Sequence, residues 1–574
     1  MTYIRYLFGR YGFLFTGAAC LLLGYLLVWQ RGLYVDDYSV RSQLINPVTG
    51  ESAIDLTSRF FPLRMIPTPL IYISVVAVPK YEFLVRLLTT LCIGLNAWLL
   101  GLVIYRAVHS KLVAVIGGWL FLAPVFAWEA TLWISAEYYI SSATFGLLFL
   151  LFYQNSLLSE RQHRKFLILS TISFTLMLLN FEGLIAIIGI AFLLSLVQTA
   201  REPSLTYRNT LKQSLRRLIW PAVVAVIFLF ISRYSPLLAL RGGLDVNPVN
   251  VFLRSYEYLR HLIWMTAYGG AGRKFLLQAF LVGLSVVMSS WTGIALFCLA
   301  CLLLLMTVAT WRRNEQDFAP TYRVGLTLFF VGVAWAIVTI LVPGVFVNGQ
   351  VLEFRMLYFP TAGGSVAVAA AAWMALKYLG RYRRFKRWDK LLVGLAGLIL
   401  LVNSIIMLGY CQLFAQRYEE DQRQVSAVRQ ILAPQSLPPD TYLILYNFDE
   451  HSLPDAPVAS RVIFGVFETP WSASSALNAA YRRTDLKAIA THRWARMQVR
   501  YDTERPPDER LQVQGYPAPV EKTLMLTYQN GSAYLVEDLT IVKSDGSEYD
   551  VQFPLARDLI ARGVPSISKI KVAE

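Results

Sequence analysis

Two adjacent carboxylates open the chemical reading of this chain. Asp36 and Asp37 sit in RGLYVDDYSV (31–40), a few residues beyond an apolar run long enough to cross a bilayer, among Leu33, Tyr34, Val35 and Tyr38. Acids with such neighbours need solvent, a cation or a task. One carboxylate within reach of a hydroxyl can take its proton as the oxygen attacks, and several together can hold a divalent cation. Adjacent residues point in different directions on a helix or a strand, so Asp36 is the candidate base and Asp37 the residue that orients it or binds a cation with Glu129 or Glu182. Further acids recur along the chain: Glu129 and Glu137 in AWEATLWISAEYY (127–139), Glu182 in NFEG (180–183), and Glu353 beside Arg355 in VLEFRMLYFP (351–360). Arg355, with Arg59 or Arg64, carries the planar fork of donors that grips a phosphate from two sides. Trp133, Tyr138 and Tyr139 offer either sugar-stacking faces or an interfacial aromatic belt. Glu182 and Glu353 equally suit the first turn of a helix.

What must position these residues is a membrane. Of the 574 residues 56% are hydrophobic and only 16% charged, and the mean hydropathy is +0.48, outside the range of soluble globular chains. A span needs ~20 mostly apolar residues, and the sequence offers about eleven runs of that kind: 11–29, 83–105, 112–128, 138–156, 166–181, 183–199, 218–235, 288–310, 324–342, 356–378 and 390–410. The first is too long, and too poorly followed by a small-residue cleavage site, for a removable signal peptide, and is expected to remain as an anchor. Arg5 and Arg10 before it place the N-terminus in the cytoplasm. On that orientation the loops SERQHRKF (159–166), REPSLTYRNTLKQSLRR (201–217), WRRNEQ (311–316) and GRYRRFKRWDK (380–390) are cytoplasmic, as their Arg and Lys content requires. The acids listed above then share the opposite face, where they can line one cavity.

The expected organisation is an all-α polytopic membrane domain over 1–410 followed by a small soluble α/β or α+β domain over 411–574, outside the cytoplasm. From residue 411 onward there are 18 Lys+Arg against 21 Asp+Glu, so the net charge of +16 belongs to the membrane half. It reflects topology and anionic lipid, and no nucleic-acid partner is needed. Two external loops are long, 30–82 and 236–287. The first holds FFPLRMIPTPLIYISVVAV (60–78), expected to lie at the interface. The second continues into VFLRSYEYLRHLIWMTAY and a long apolar stretch (275–310), part of it interfacial or re-entrant. In the C-terminal part, TYLILYNF (441–448), RVIFGVFE (461–468) and TLMLTYQNGSAYLVEDLTIV (523–542) suggest strands, the last with an Asn-Gly hairpin turn, and SSALNAAYRRTDLKAIATHRWA (474–495) suggests a helix. Four of five cysteines lie in apolar runs and Cys411 ends one, so no disulfide framework is implied. The five histidines form no ligand cluster by spacing: His109 and His163 fall on the cytoplasmic side, His451 and His492 in the soluble domain, and His261 alone in a loop on the acidic side.

The order of an external Asp-Asp loop, an RxxP stretch (Arg64 to Pro67), PxxxxEAxxWIS (Pro124 to Ser135), an acid-bearing turn and ExRxxYxP (Glu353 to Pro360) resembles the GT-C superfamily of integral membrane glycosyltransferases. It is most similar to the branch holding protein O-mannosyltransferases, their tetratricopeptide-linked relatives and the bacterial aminoarabinose lipid A transferases. The resemblance covers roughly residues 1–380. It implies inverting transfer of a sugar from a polyprenyl-phosphate donor to a lipid, glycan or protein acceptor on the outer face of a bacterial cytoplasmic membrane. Carried over, Asp36 matches the catalytic acid, Asp37 its neighbour, Arg355 a basic residue near the donor phosphate and Glu129 the acid of the EAxxWIS segment. Two departures count: Ala136 and Glu137 follow the WIS residues, where relatives often carry Arg or Gly, and no tetratricopeptide repeat follows the spans. The resemblance implies no certain cofactor; a divalent cation (Mg, Mn, Ca or Zn) is optional. The rival reading is a transporter or flippase for a polar lipid-linked or glycan substrate, which should carry charges near the midplane and repeated halves; neither is evident. A second rival is an envelope scaffold.

Overall fold

The computed structural model describes residues 2–28, 37, 81–158, 161–201, 207–233, 247–264, 271–311, 322–346, 354–379, 388–432 and most of 435–573. These fall into two compact units, one holding residues 2–28 and 81–412, the other Asp37 and residues 413–573. The interfacial segment expected at 60–78 lies outside the described residues.

The first unit is helical. It comprises α1 (Thr2–Leu21, continued by a π-turn Leu22–Leu26), α2 (Glu82–Val108), α3 (Lys111–Leu122), α4 (Trp128–Leu132), α5 (Tyr138–Leu158), α6 (His163–Asn180), α7 (Ile187–Arg201), α8 (Tyr207–Arg233), α9 (Pro248–Trp264), α10 (Ala271–Ser289), α11 (Trp291–Thr310), α12 (Tyr322–Phe346), α13 (Tyr358–Leu379) and the start of α14 (Trp388–Leu432). Each of the eleven expected apolar runs overlaps a helix, though not always along its whole length. By length and composition, seven helices among the described residues can cross a membrane, and Tyr11–Leu26, Lys111–Leu122 and Ile187–Arg201 are shorter apolar helices. The expected run 112–128 is the clearest difference, because α3 stops at Leu122 and the chain breaks at Pro124, whose ring removes a donor and disfavours helix in the residue before it. The 275–310 stretch is also broken. Ser290 adopts an extended conformation and caps α11 by accepting the Gly293 N–H, separating α10 from α11.

The helices alternate between two chemically distinct ends. At one end Lys390 Nζ donates to the Ala309 carbonyl (3.0 Å), Arg201 Nη1 to the Arg106 carbonyl (3.1 Å) and Arg217 Nη1 to the Ser156 carbonyl, while the Lys111 ammonium lies over the Trp311 ring (5.0 Å). These contacts bring together the helix ends that flank all four Arg/Lys-rich loops. They also place cations on helix C-terminal carbonyls, where the macrodipole favours them. The opposite end carries Glu82, Glu129, Glu137 and Arg355. Helices α12 and α13 meet through facing glycines. A Cβ on Gly363 would lie 2.6 Å from the Ala336 nitrogen and 2.8 Å from the Gly332 carbonyl oxygen, the close backbone approach on which helix association in lipid relies.

The second unit is mixed α/β, with the end of α14, α15 (Pro470–Tyr481) and α16 (Pro554–Ala561) around two sheets. The larger sheet runs β2 (Lys487–Ala490), β1 (Tyr442–Tyr446), β6 (Thr523–Gln529), β7 (Ser532–Val542), with β8 (Glu548–Gln552) and β9 (Ser566–Ala573) both paired to β7. β1 is parallel to both β2 and β6, and β6 is antiparallel to β7. The smaller sheet is β3 (Val499–Tyr501), β4 (Leu511–Val513), β5 (Tyr516–Pro517). β6 is buried along six of its seven residues, which is why TLMLTY is nearly continuous in apolar and β-branched residues rather than alternating. The Asn-Gly hairpin forms as expected, with Asn530 at φ 52° and Gly531 at φ 82°, the left-handed pair that a two-residue turn demands.

Two expectations for this unit are corrected. The helix expected over 474–495 ends at Tyr481, and Lys487–Ala490 is strand β2 beside β1. Asn478 terminates it by donating Nδ2–H to the Leu486 carbonyl and accepting the Leu486 N–H, both at 3.0 Å. The strand expected over 461–468 is a 3-10 turn at Val466–Glu468 in its described part. There the Val466 N–H donates to Asp421 Oδ1 (3.1 Å), which also pairs with buried Arg417 (3.2 Å), so a side chain takes a donor that a strand would spend on a neighbour.

Candidate active site

The acidic end of the first unit is built on an interruption. After Pro124 the chain makes a 3-10 turn (Val125–Ala127), the short α4, an extended residue at Trp133 and another 3-10 turn (Ile134–Ala136) before α5 begins. Broken backbone at a membrane boundary has carbonyl and N–H groups to satisfy. α2 supplies several partners from one face. Arg86 Nη1 donates to the Leu132 carbonyl (3.1 Å), Thr89 Oγ1 to Glu137 Oε1 (2.5 Å) and Asn96 Nδ2 to the Ile140 carbonyl (2.9 Å). Arg86 is 1% exposed and pairs with Glu82 one turn earlier at 3.5 Å. Asn96 also donates to the Tyr358 hydroxyl (3.2 Å) and accepts from Thr144 (2.7 Å), tying α2, α5 and α13 into one joint.

On that frame three predicted residues come together. Glu129, on α4 and 5% exposed, accepts the Arg355 backbone N–H at 3.3 Å through Oε2. The Arg355 guanidinium lies over the Trp133 ring, 4.1 Å from its centroid. Arg355 sits in the 3-10 turn Phe354–Leu357 that leads into α13, 226 residues from Glu129 in the chain. Stacking engages the flat face of the guanidinium, whereas its five N–H donors lie in its plane. The stack thus fixes the cation in position.

Tyr138 and Tyr139 pack against each other (4.4 Å between centroids), and Tyr139 against Phe181 (4.6 Å), next to Glu182. Tyr139 is buried and Tyr138 half-buried. Ser141 Oγ donates to Asn180 Oδ1 (3.0 Å), which fastens the NFEG turn to the start of α5. Asp37 is fully buried and groups with the second unit. Glu182 opens a 3-10 turn (Glu182–Leu184) and His261 lies in α9; their side chains lie outside the described residues, as do Asp36, Arg59, Arg64 and Glu353. Among the described residues no three of His, Cys, Asp and Glu gather as a metal site would require.

No protein-family model matches the chain, and no characterised protein matches it in sequence. Solved structures with a related arrangement do exist. The archaeal oligosaccharyltransferase AglB of Archaeoglobus fulgidus, in complex with an inhibitory peptide and a dolichol-phosphate, is 14% identical with a TM-score of 0.38 over 85% of this chain. The chain spans 65% of that protein's length. ArnT of Cupriavidus metallidurans is 13% identical in its apo state (TM-score 0.34, 83% of this chain and 85% of that one). Bound to undecaprenyl phosphate it is 15% identical (TM-score 0.35, 82% and 89%). Both proteins are GT-C superfamily membrane glycosyltransferases.

Sequence reasoning missed Glu82, Arg86, Thr89 and Asn96, the buried face of α2. Their signal was present as polar residues at helical spacing, Glu82 just before the apolar run 83–105 and the other three within it, and a run counted only for its hydrophobicity hides them.

Proposed function

We propose that this chain is an inverting glycosyltransferase that takes a sugar from a polyprenyl-phosphate donor and passes it to an acceptor hydroxyl at the acidic end of its helical unit. The observation that carries the reading is the convergence of Glu129, Trp133 and Arg355, a phosphate-competent cation held beside an acid on broken backbone. Arg355 receives the donor phosphate. The acceptor oxygen attacks the anomeric carbon as a general base takes its proton, the new C–O bond forms on the face opposite the departing phosphate, and the polyprenyl phosphate leaves with the bonding electrons as an anion stabilised by the guanidinium. From the sequence, Asp36 is our candidate for that base and Asp37 for the residue that orients it. A divalent cation is optional, and no step depends on one. In this reading the acidic end faces outward from a bacterial cytoplasmic membrane, the basic end faces the cytoplasm, and the acceptor is a lipid, glycan or protein.

The transporter is the second reading, and chemistry separates the two. In detergent solution, where no compartments exist, a transferase still releases or transfers sugar from a panel of polyprenyl-phosphate sugars, and Arg355→Gln slows it by ~10-fold or more, the loss of a charge-assisted phosphate contact. Movement of substrate only across sealed vesicles, with no bond broken in detergent, would favour the transporter.

A further inference from the structure

The helical unit also holds a groove that plays no part in the proposed transfer step. Helices α1, α2 and α3 enclose a groove of about 460 Å³. Its lining is apolar apart from one charged residue, Lys111, which stands at the basic end of the bundle. The Lys111 ammonium is held over Phe13 (5.4 Å) and Trp311 (5.0 Å).

Two observations indicate that the groove admits a chain and is not merely a packing seam. The first is Gly94. A Cβ there would meet only Leu21, at 3.8 Å, whereas a Cβ on Gly101 would lie 3.3 Å from the Ala114 carbonyl oxygen and one on Gly118 3.0 Å from that of Ala97. Close helix approach therefore explains Gly101 and Gly118 but not Gly94, whose missing side chain leaves room in the groove. The second is the rim: Leu91 is 59% and Trp98 49% exposed, so the groove opens sideways onto the bundle's apolar surface. Along α2 it runs from Leu91 to Tyr105, roughly 21 Å at 1.5 Å per residue, more than half of a hydrocarbon core of about 30 Å.

An elongated apolar slot open to the bilayer, with a fixed ammonium where the headgroups lie, matches an anionic phospholipid in shape and complements its charge. We propose that the groove binds one phospholipid with an anionic headgroup from the leaflet at the basic end, an acyl chain along α2 and the phosphate on Lys111. This site stands whether or not the transferase reading does, because Lys111, which would hold the phosphate, lies at the end of the bundle opposite Glu129 and Arg355.

The test uses the full chain in detergent, with binding of phosphatidylglycerol and phosphatidylcholine followed by native mass spectrometry. The wild type is expected to retain about one phosphatidylglycerol in preference to phosphatidylcholine. Lys111→Gln should reduce that preference ~5-fold, on the order expected for one interfacial cation. Gly94→Leu should reduce retention of both lipids while the protein melts as the wild type does, since a Cβ at Gly94 meets no backbone. No headgroup preference in the wild type, or an unchanged preference in Lys111→Gln, would overturn the proposal. So would unchanged retention in Gly94→Leu, or displacement of the phospholipid by a polyprenyl phosphate, which would make the slot part of the donor path instead.

Discussion

Arg86 holds the acidic end together, and the cost of removing it can be worked out. It is 1% exposed, pairs with Glu82 at 3.5 Å and donates to the Leu132 carbonyl at 3.1 Å. Replacing it by Met strips Glu82, itself 3% exposed, of its guanidinium; breaking a buried pair from one side costs about 3–5 kcal/mol. The Leu132 carbonyl loses its donor as well, about 1–3 kcal/mol. Replacing both partners, Glu82→Leu with Arg86→Met, abolishes the first cost because neither charge of the pair remains, and leaves only the second. The double variant should therefore be more stable than Arg86→Met alone by roughly 3–5 kcal/mol. Thermal unfolding of the full chain in detergent reads this directly, at roughly 2–4 °C per kcal/mol for a large domain. A double variant that melts at or below Arg86→Met would refute the assignment of Glu82 as the guanidinium's main electrostatic partner.

Other expectations follow from single contacts. A double-mutant cycle of Trp133→Leu and Arg355→Gln should show coupling of about 1 kcal/mol in melting temperature or in kcat/KM, the worth of a partly buried cation–π pair; additive effects would mean that the two side chains do not support each other. Gly363→Val, whose side chain would meet the backbone of Gly332 and Ala336, should cost about 1–3 kcal/mol or more by overpacking, and an unchanged melting temperature would contradict the α12–α13 interface described. In the second unit, the Arg483 guanidinium beside Asp485 (Nε to Oδ1, 2.8 Å) holds that carboxyl well below the usual range, helped by the Asp440 N–H. A depressed carboxylate stabilises the fold above its unfolded pKa of about 3.9 and loses that contribution as pH falls toward the folded value. Hydrogen exchange of β1 and β2 should thus separate wild type from Arg483→Met at neutral pH, with the gap shrinking by about pH 3; a gap that widens at low pH would reverse the assignment.

The helical unit was legible because its signal is long and redundant: apolar runs of twenty residues, and Arg and Lys clusters whose neighbouring helix ends the structure brings to one side. The meeting of Glu129, Trp133 and Arg355 was legible as order and shared face, though no spacing in the chain could give the 4.1 Å stack of Arg355 on Trp133. The polar face of α2 was not legible, because mean hydropathy averages Arg86 and Asn96 away. In the second unit, local pattern failed where side chains intervene. Asn478 ends α15 through a pair of hydrogen bonds to Leu486, and Asp421 captures the Val466 N–H. Both depend on partners that periodicity cannot see. The hairpin at Asn530 and Gly531 succeeded because its geometry is written into two adjacent residues.

The central claim is that the chain breaks the bond between a sugar and a polyprenyl phosphate with Asp36 as its base. Release or transfer of sugar from a panel of polyprenyl-phosphate sugars, measured for purified wild type beside an Asp36→Asn variant of equal melting temperature, tests it most directly. The account predicts activity with at least one donor and a loss of roughly a hundredfold or more in the variant, the order expected when a general base is removed. Equal rates for the two proteins would remove Asp36 from the chemistry, and a wild type inert toward every donor would contradict the transferase itself.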